Sequence, residues 1–251
     1  MFEHRLRRCE AVDISALGDE PRALARLALN GAATGDAHAQ ALLAQLLLDG
    51  HGIEADPRLA LSWFRIAAAR GHAMASNMAG RCLEHGWGCR ADVAEAATFY
   101  RRAAALGLDW GCYNLANLLA TGRGVPQDMP AAYCLYRQAA EAGHAKSMNL
   151  VGRCLEDGLG VAADPAAARA WYRRSAEAGD FRGQFSHAAV LLAQGALADA
   201  RHWLQLALAN GHLKFIDTAL TALRAAALPE LEDIVAAYAA RRAALASGAR
   251  T

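Results

Sequence analysis

GHAKSMNLVGRCLEDGLGVAADPAAARAWYRRSAEA, residues 143–178, holds one complete structural unit. Residues 71–106, GHAMASNMAGRCLEHGWGCRADVAEAATFYRRAAAL, nearly repeat it. The beat runs further in both directions: Gly35, Gly71, Gly107, Gly143 and Gly179 each stand 36 residues after the last. A fixed period of this size marks stacked supersecondary units that bury their apolar faces only against one another. It moves the functional question from a catalytic cleft to a surface repeated along an array.

Other columns keep the period. Gly50, Gly86, Gly122 and Gly158 form one; Gly52, Gly88, Gly124 and Gly160 a second; Asp56, Asp92, Asp128 and Asp164 a third. Then come Ala60, Ala96, Ala132 and Ala168, a large residue (Trp63, Phe99, Leu135, Trp171), an aromatic (Phe64, Tyr100, Tyr136, Tyr172) and an arginine (Arg65, Arg101, Arg137, Arg173). Each unit reads as helix, tight loop, helix, tight turn. Residues 145–157 carry apolar side chains at mostly helical spacing. Gly158 falls where a helix C-terminus favours a left-handed residue, and Gly160 keeps the loop tight. Asp164 is placed to cap the second helix, with Pro165 at its first position, where the missing N–H costs nothing. Gly80 and Gly152 lie mid-helix, at a cost of roughly 1 kcal/mol each against alanine, and are read as close helix crossings. The large column is expected to be core, so that Trp171→Ala should cost on the order of 3–5 kcal/mol.

The succession of a mid-helix Gly80, the loop Gly158-Leu159-Gly160-Val161-Ala162-Ala163-Asp164 and Trp171-Tyr172-Arg173-Arg174-Ser175-Ala176 resembles the Sel-1-like repeat, a relative of the tetratricopeptide repeat. The resemblance covers residues 35–211 and implies adaptor and scaffold roles with no shared active site. The expected fold is all-α: a right-handed superhelical solenoid of antiparallel helix pairs, about thirteen helices in all. Residues 1–34 are an N-terminal segment and capping helix, with Leu27 in the aromatic column. Residues 35–211 hold four full repeats and a shortened fifth. Residues 212–251 are capping helices and a short, frayed tail.

Composition narrows the function. The net charge is +1, which gives no global support for nucleic-acid binding. No run approaches the roughly 18 apolar residues of a membrane helix, and residues 1–20 lack the apolar core of a signal peptide. A cytoplasmic protein with free thiols at all 6 cysteines is expected. Secreted, cysteine-rich members of the resembled family pair cysteines eight positions apart; Cys112 would need its partner at Ala104. Cys82, His85 and Cys89 have metal-like spacing, but no fourth ligand is near in sequence, so they read as core and loop residues. His72, His144 and His212 each follow a repeat glycine and read as helix-start residues serving the turn. The arginine column reads as a solvated, ion-paired face. No Ser/His/Asp set, paired carboxylates or phosphate loop keeps the register. Catalytic, cofactor and metal sites are therefore not expected, leaving only one assembled from residues scattered between repeats.

The opposite face of the first helices is more informative. Counted from each leading glycine, columns +3, +6, +10 and +14 fall away from the core at 100° per residue. They hold Met74, Asn77 and Arg81; then Trp110, Tyr113 and Asn117; then Lys146, Asn149 and Arg153; then Arg182 and Phe185. These vary while the core columns repeat, as they should if each unit reads a different part of one protein or peptide partner on a concave face. The alternative for Trp110 is packing on the neighbouring unit. A second reading makes the chain a regulatory subunit of an enzyme or transporter, docking or weakly self-associating through an apolar patch on its last helix around Tyr238 and Leu245.

Overall fold

The computed structural model describes residues 20–248. Within them the chain forms thirteen α-helices and no strand. The helices are α1 (Pro21–Ala33), α2 (Ala37–Asp49), α3 (Pro57–Ala69), α4 (Ala73–His85), α5 (Val93–Ala105), α6 (Asp109–Thr121), α7 (Met129–Glu141), α8 (Ala145–Asp157), α9 (Pro165–Glu177), α10 (Phe181–Ala193), α11 (Leu197–Asn210), α12 (Leu213–Ala226) and α13 (Glu232–Gly248), the last entered through a single 3-10 turn, Pro229–Leu231. They group into two compact units that part between Asp128 and Met129. The expectations for residues 1–19, for Cys9 and for the last three residues lie outside the described part; residues 247 and 248 are still helical.

The loop chemistry follows the residue types. Gly86 and Gly158 close α4 and α8 in the left-handed region, at φ 72° and 69°, and their amides return to the carbonyls of Cys82 and Cys154. Asp56, Asp92 and Asp164 cap α3, α5 and α9; the Asp92 carboxylate accepts from the Glu95 amide at 2.8 Å. The second loop glycine has a role beyond tightness. A Cβ on Gly88 would lie 2.2 Å from the Pro57 carbonyl oxygen, and one on Gly160 2.4 Å from that of Met129. Each loop therefore rests backbone to backbone on the start of the preceding repeat's second helix, where no side chain fits.

The mid-helix glycines also have a defined neighbour. A Cβ on Gly80 would meet the Tyr100 ring at 2.7 Å, and one on Gly152 the Tyr172 ring at 2.5 Å. These rings are the core: Tyr100 and Tyr172 are buried, and their hydroxyls donate to Glu84 at 2.7 Å and Glu156 at 2.6 Å. Burial, and then donation to these carboxylates, pushes both phenol pKa values up.

Three expectations need correction. Trp171, like Trp63, Phe99 and Leu135, is only half-buried, and the Arg174 guanidinium stacks on it at 4.0 Å. The anchor of each repeat is the next residue, Tyr172, so the burial assigned to Trp171 belongs one position on. In α1 the aromatic position is occupied by buried Ala28, while Leu27 takes the half-exposed one. Finally, Tyr238 offers no docking patch. It is fully buried, its hydroxyl donates to the Leu204 carbonyl at 2.8 Å, and Leu245 packs against the same cluster. With Arg201 ion-paired to Asp233, and Arg242 to Asp217, α13 is a closed cap of the second unit.

Candidate partner-binding site

In the first unit the site residues come from α4, α6 and the loop after α4. Asn77 and its counterpart Asn149 in the second unit are both buried. The Asn77 side-chain oxygen accepts from the Asn114 amide at 2.8 Å, and that of Asn149 accepts from the Ser186 hydroxyl at 3.0 Å. These bonds pin consecutive first helices side by side, α4 to α6 and α8 to α10, each for about 1 kcal/mol. Both asparagines, expected to touch a partner, thus position the face rather than form its surface. A signal was present: column +7 is polar only at Asn114 and Ser186, in the repeats that follow Asn77 and Asn149.

The rest of the first-unit set stays accessible in part. Trp110 and Tyr113 are half-buried and meet edge to face with centroids 6.0 Å apart. Arg81, Met74 and Asn117 are half-buried as well. The Arg81 guanidinium lies over Trp87 at 5.1 Å, and Trp87 in turn lies against His85 at 4.9 Å. Trp87 was not among the expected residues, because its loop position carries no repeated type: its equivalents are His51, Arg123 and Leu159. Glu84 was missed because its column is acidic in only two repeats, at Glu84 and Glu156, with Leu48 and Ala120 in the others. It accepts from Tyr100 and pairs with Arg123 of the next loop at 3.0 Å, bracing the floor beside Arg81. The result is an aromatic and guanidinium surface with hydrogen-bonding edges, suited to non-covalent recognition of a polypeptide.

The second-unit residues divide. Arg153 and Arg182 are exposed, and Lys146 is half-buried. Phe185 instead turns partly inward, edge-on to Phe215 at 5.9 Å and packed against the terminal hydrophobic cluster.

The histidine column is a set of helix caps. His72, His144 and His212 accept through Nδ1 from the amides of Ala75, Ser147 and Phe215. Asp36 and Asp180 do the same work in their repeats. His72 is also 3.2 Å from His38, Nε2 to Nδ1. Burial, and then His38, lowers its pKa to about 4 against the opposing effect of Asp36. Protonation below that value would destroy the Nδ1 acceptor. A folded pKa below the unfolded value near 6.5 contributes stability that is full above pH 6.5 and lost as pH falls toward 4. Thermal melts between these limits should show a steeper loss for wild type than for His72→Asn, which caps without titrating; equal slopes would contradict this account.

Cys82, Cys112 and Cys154 are buried, Cys89 is half-buried and Cys134 exposed. Burial, then Cys89, pushes the Cys82 thiol up to about 12, with Arg81 opposing, so it stays protonated at neutral pH as a buried core thiol does. Among the described residues no three His, Cys, Asp or Glu side chains come together as a metal site requires. On the second helices of the repeats Arg65 pairs with Glu95, Arg137 with Glu141 and Arg173 with Glu177, with side chains open to solvent. Such pairs contribute little to stability, about 0–1 kcal/mol.

The pattern that defines the Sel1 repeat matches residues 37–72, 73–108, 111–144, 145–180 and 197–212, more than half of the chain. The chain belongs to the Sel1 repeat family. Its Sel1 repeats are helix pairs of a solenoid, and such repeats generally serve as protein–protein interaction scaffolds. No curated protein matches the chain by sequence. Solved structures do. A Sel1 repeat protein from Oxalobacter formigenes is 29% identical at a TM-score of 0.67, over 73% of this chain and 75% of that one. The protective antigen c5321 of uropathogenic Escherichia coli, described as displaying an SLR fold, is 23% identical at a TM-score of 0.72, over 88% of this chain but only 49% of its own length. A putative Sel1 repeat protein from Klebsiella pneumoniae subsp. pneumoniae is 20% identical at a TM-score of 0.51, over 81% and 99%. The last two likenesses concern the fold alone. No described helix is long and apolar enough to cross a membrane.

Proposed function

We propose that this chain is a non-enzymatic scaffold that holds a segment of a partner protein along the concave, first-helix face of its repeats, in the cytoplasm. The observation that carries the reading is the half-buried Trp110–Tyr113 pair on α6, a helix that the Asn114–Asn77 bond locks to α4. Large rigid side chains held on a pinned frame lose little conformational entropy on binding, which favours them as anchors. The terminal-docking alternative loses its motivation with the burial of Tyr238.

A pull-down from native extract compares wild type with Trp110→Ala/Tyr113→Ala. The double variant should keep its circular dichroism spectrum and lose at least one partner that wild type retains. A folded variant that keeps every partner would refute the assignment.

A further inference from the structure

The seat of Gly88 on α3 brings two arginines together. A Cβ on Gly88 would lie 2.5 Å from the Arg58 amide nitrogen, besides 2.2 Å from the Pro57 carbonyl oxygen. Arg90 follows Gly88 by two residues, so this backbone contact places Arg58 and Arg90 at one seam. With Arg65, two turns further along α3, they line an open groove of about 720 Å³ that also takes in Ser62, Gly88 and Cys89. All three arginines are exposed. Arg65 is engaged, paired with Glu95 at 2.7 Å. Arg58 and Arg90 are not: among the described residues neither guanidinium has a hydrogen bond, ion pair or ring contact. The Ser62 hydroxyl donates to the Arg58 backbone carbonyl at 3.1 Å, which leaves the side chain untouched. Glu54 and Asp56 line a separate hollow that shares Arg58 and Gly88 with this groove, and Asp56 is held by the Leu59 amide at 2.9 Å.

The repeat itself does not require these charges. At the same two positions the seam of Gly52 holds Arg22 and Glu54. The seam of Gly124 holds Ala94 and Pro126, and that of Gly160 holds Pro130 and Ala162. Opposite charges or none serve there; only at Gly88 do two like charges stand together. Like charges in proximity cost stability, and an anion bound between them turns that cost into a gain. Two unengaged guanidiniums match a phosphate monoester, which carries about −2 at pH 7 and offers three strong acceptor oxygens to planar, bidentate donors. A carboxylate, with a single charge, would satisfy only one of them.

We propose that Arg58 and Arg90, with Arg65 beside them, form a groove that binds a phosphate monoester dianion, carried either on a phosphorylated protein side chain or on a small free phosphate compound. The groove lies on the start of α3 and the loop after α4, outside the first-helix columns, so it adds a second ligand to the scaffold and does not depend on the partner reading. Nucleic acid is the less fitting anion: its phosphodiesters carry one charge each, and the chain has 26 basic against 25 acidic residues.

The test uses the full chain, with affinities read from nuclear magnetic resonance titrations. The probes are inorganic phosphate, the peptide Gly-Gly-phosphoserine-Gly-Gly, its serine and glutamate counterparts, and hexathymidine. Phosphate and the phosphopeptide should shift the Gly86 and Gly88 amide signals, and binding should weaken several-fold from about 50 to about 300 mM salt. The serine peptide should leave these signals in place, and the glutamate peptide should bind more weakly than the phosphopeptide. Arg58→Gln/Arg90→Gln should bind the phosphopeptide at least about tenfold more weakly, yet melt no lower than wild type, because it removes a like-charge pair. Arg58→Lys/Arg90→Lys, which keeps the charge but not the planar fork, should fall between the two. Arg101→Gln/Arg169→Gln removes equal charge elsewhere and should stay within about twofold of wild type, since remote charges are screened. A phosphopeptide that binds more tightly than inorganic phosphate assigns the groove to phosphorylated protein; equal affinity assigns it to a free phosphate compound. Unmoved Gly88 signals, equal affinity of wild type and Arg58→Gln/Arg90→Gln, the same loss in Arg101→Gln/Arg169→Gln, or tightest binding of hexathymidine would overturn the proposal.

Discussion

Tyr172→Ala should destabilise the second unit by about 3–5 kcal/mol, the cost of emptying a buried aromatic site. The ring packs where Gly152 has no Cβ, and its hydroxyl satisfies Glu156 at 2.6 Å. Trp171→Ala should cost far less, about 1–2 kcal/mol, because its ring is half-exposed and its main contact is the stacked Arg174, worth about 0.5–1 kcal/mol. Denaturant titrations of the two single variants compare the adjacent positions directly. The reverse order would mean that the large column, not the aromatic one, is the core of the repeat.

The second large effect is expected at a loop. Gly88 sits at φ 76° with the Pro57 carbonyl oxygen 2.2 Å from where a Cβ would be. Alanine there bears the left-handed penalty of about 1–2 kcal/mol and a clash with backbone, which cannot rotate away as a side chain does, adding about 1–3 kcal/mol. Gly71 is the control: its φ is 85° and a Cβ would meet nothing within 4 Å, so Gly71→Ala bears only the first cost. The difference between the two melts measures the seating of one repeat on the next. Equal destabilisation would remove that role from the Gly52, Gly88, Gly124 and Gly160 column.

These contrasts show where the sequence was readable. A period of 36 residues, capping aspartates and paired loop glycines specify helix, loop and helix because each residue type has a local reason for its place. The thirteen helices follow from that local chemistry. Neighbours across the stack are harder to read. Helical spacing reports the angle of a side chain about its own axis, but not which later helix covers it. Asn77 points away from its own repeat's core and is still buried, because α6 lies alongside α4 and supplies Asn114. Phe185 turns inward because Phe215, thirty residues on, packs against it. Trp171 and Tyr172 are both aromatic, and one residue of register decides which is buried. The Arg182–His212 contact joins a face residue to a cap, two columns with separate sequence signatures.

The central claim is that the first-helix face, and not the outer helices, meets the partner. Photocrosslinking in cells tests it directly, with a benzophenone side chain introduced at Tyr113 on α6 or at the exposed Arg101 on α5. The account predicts a covalent adduct of higher mass from position 113 and none from position 101. Adducts from position 101 alone, or none from either position, would contradict it.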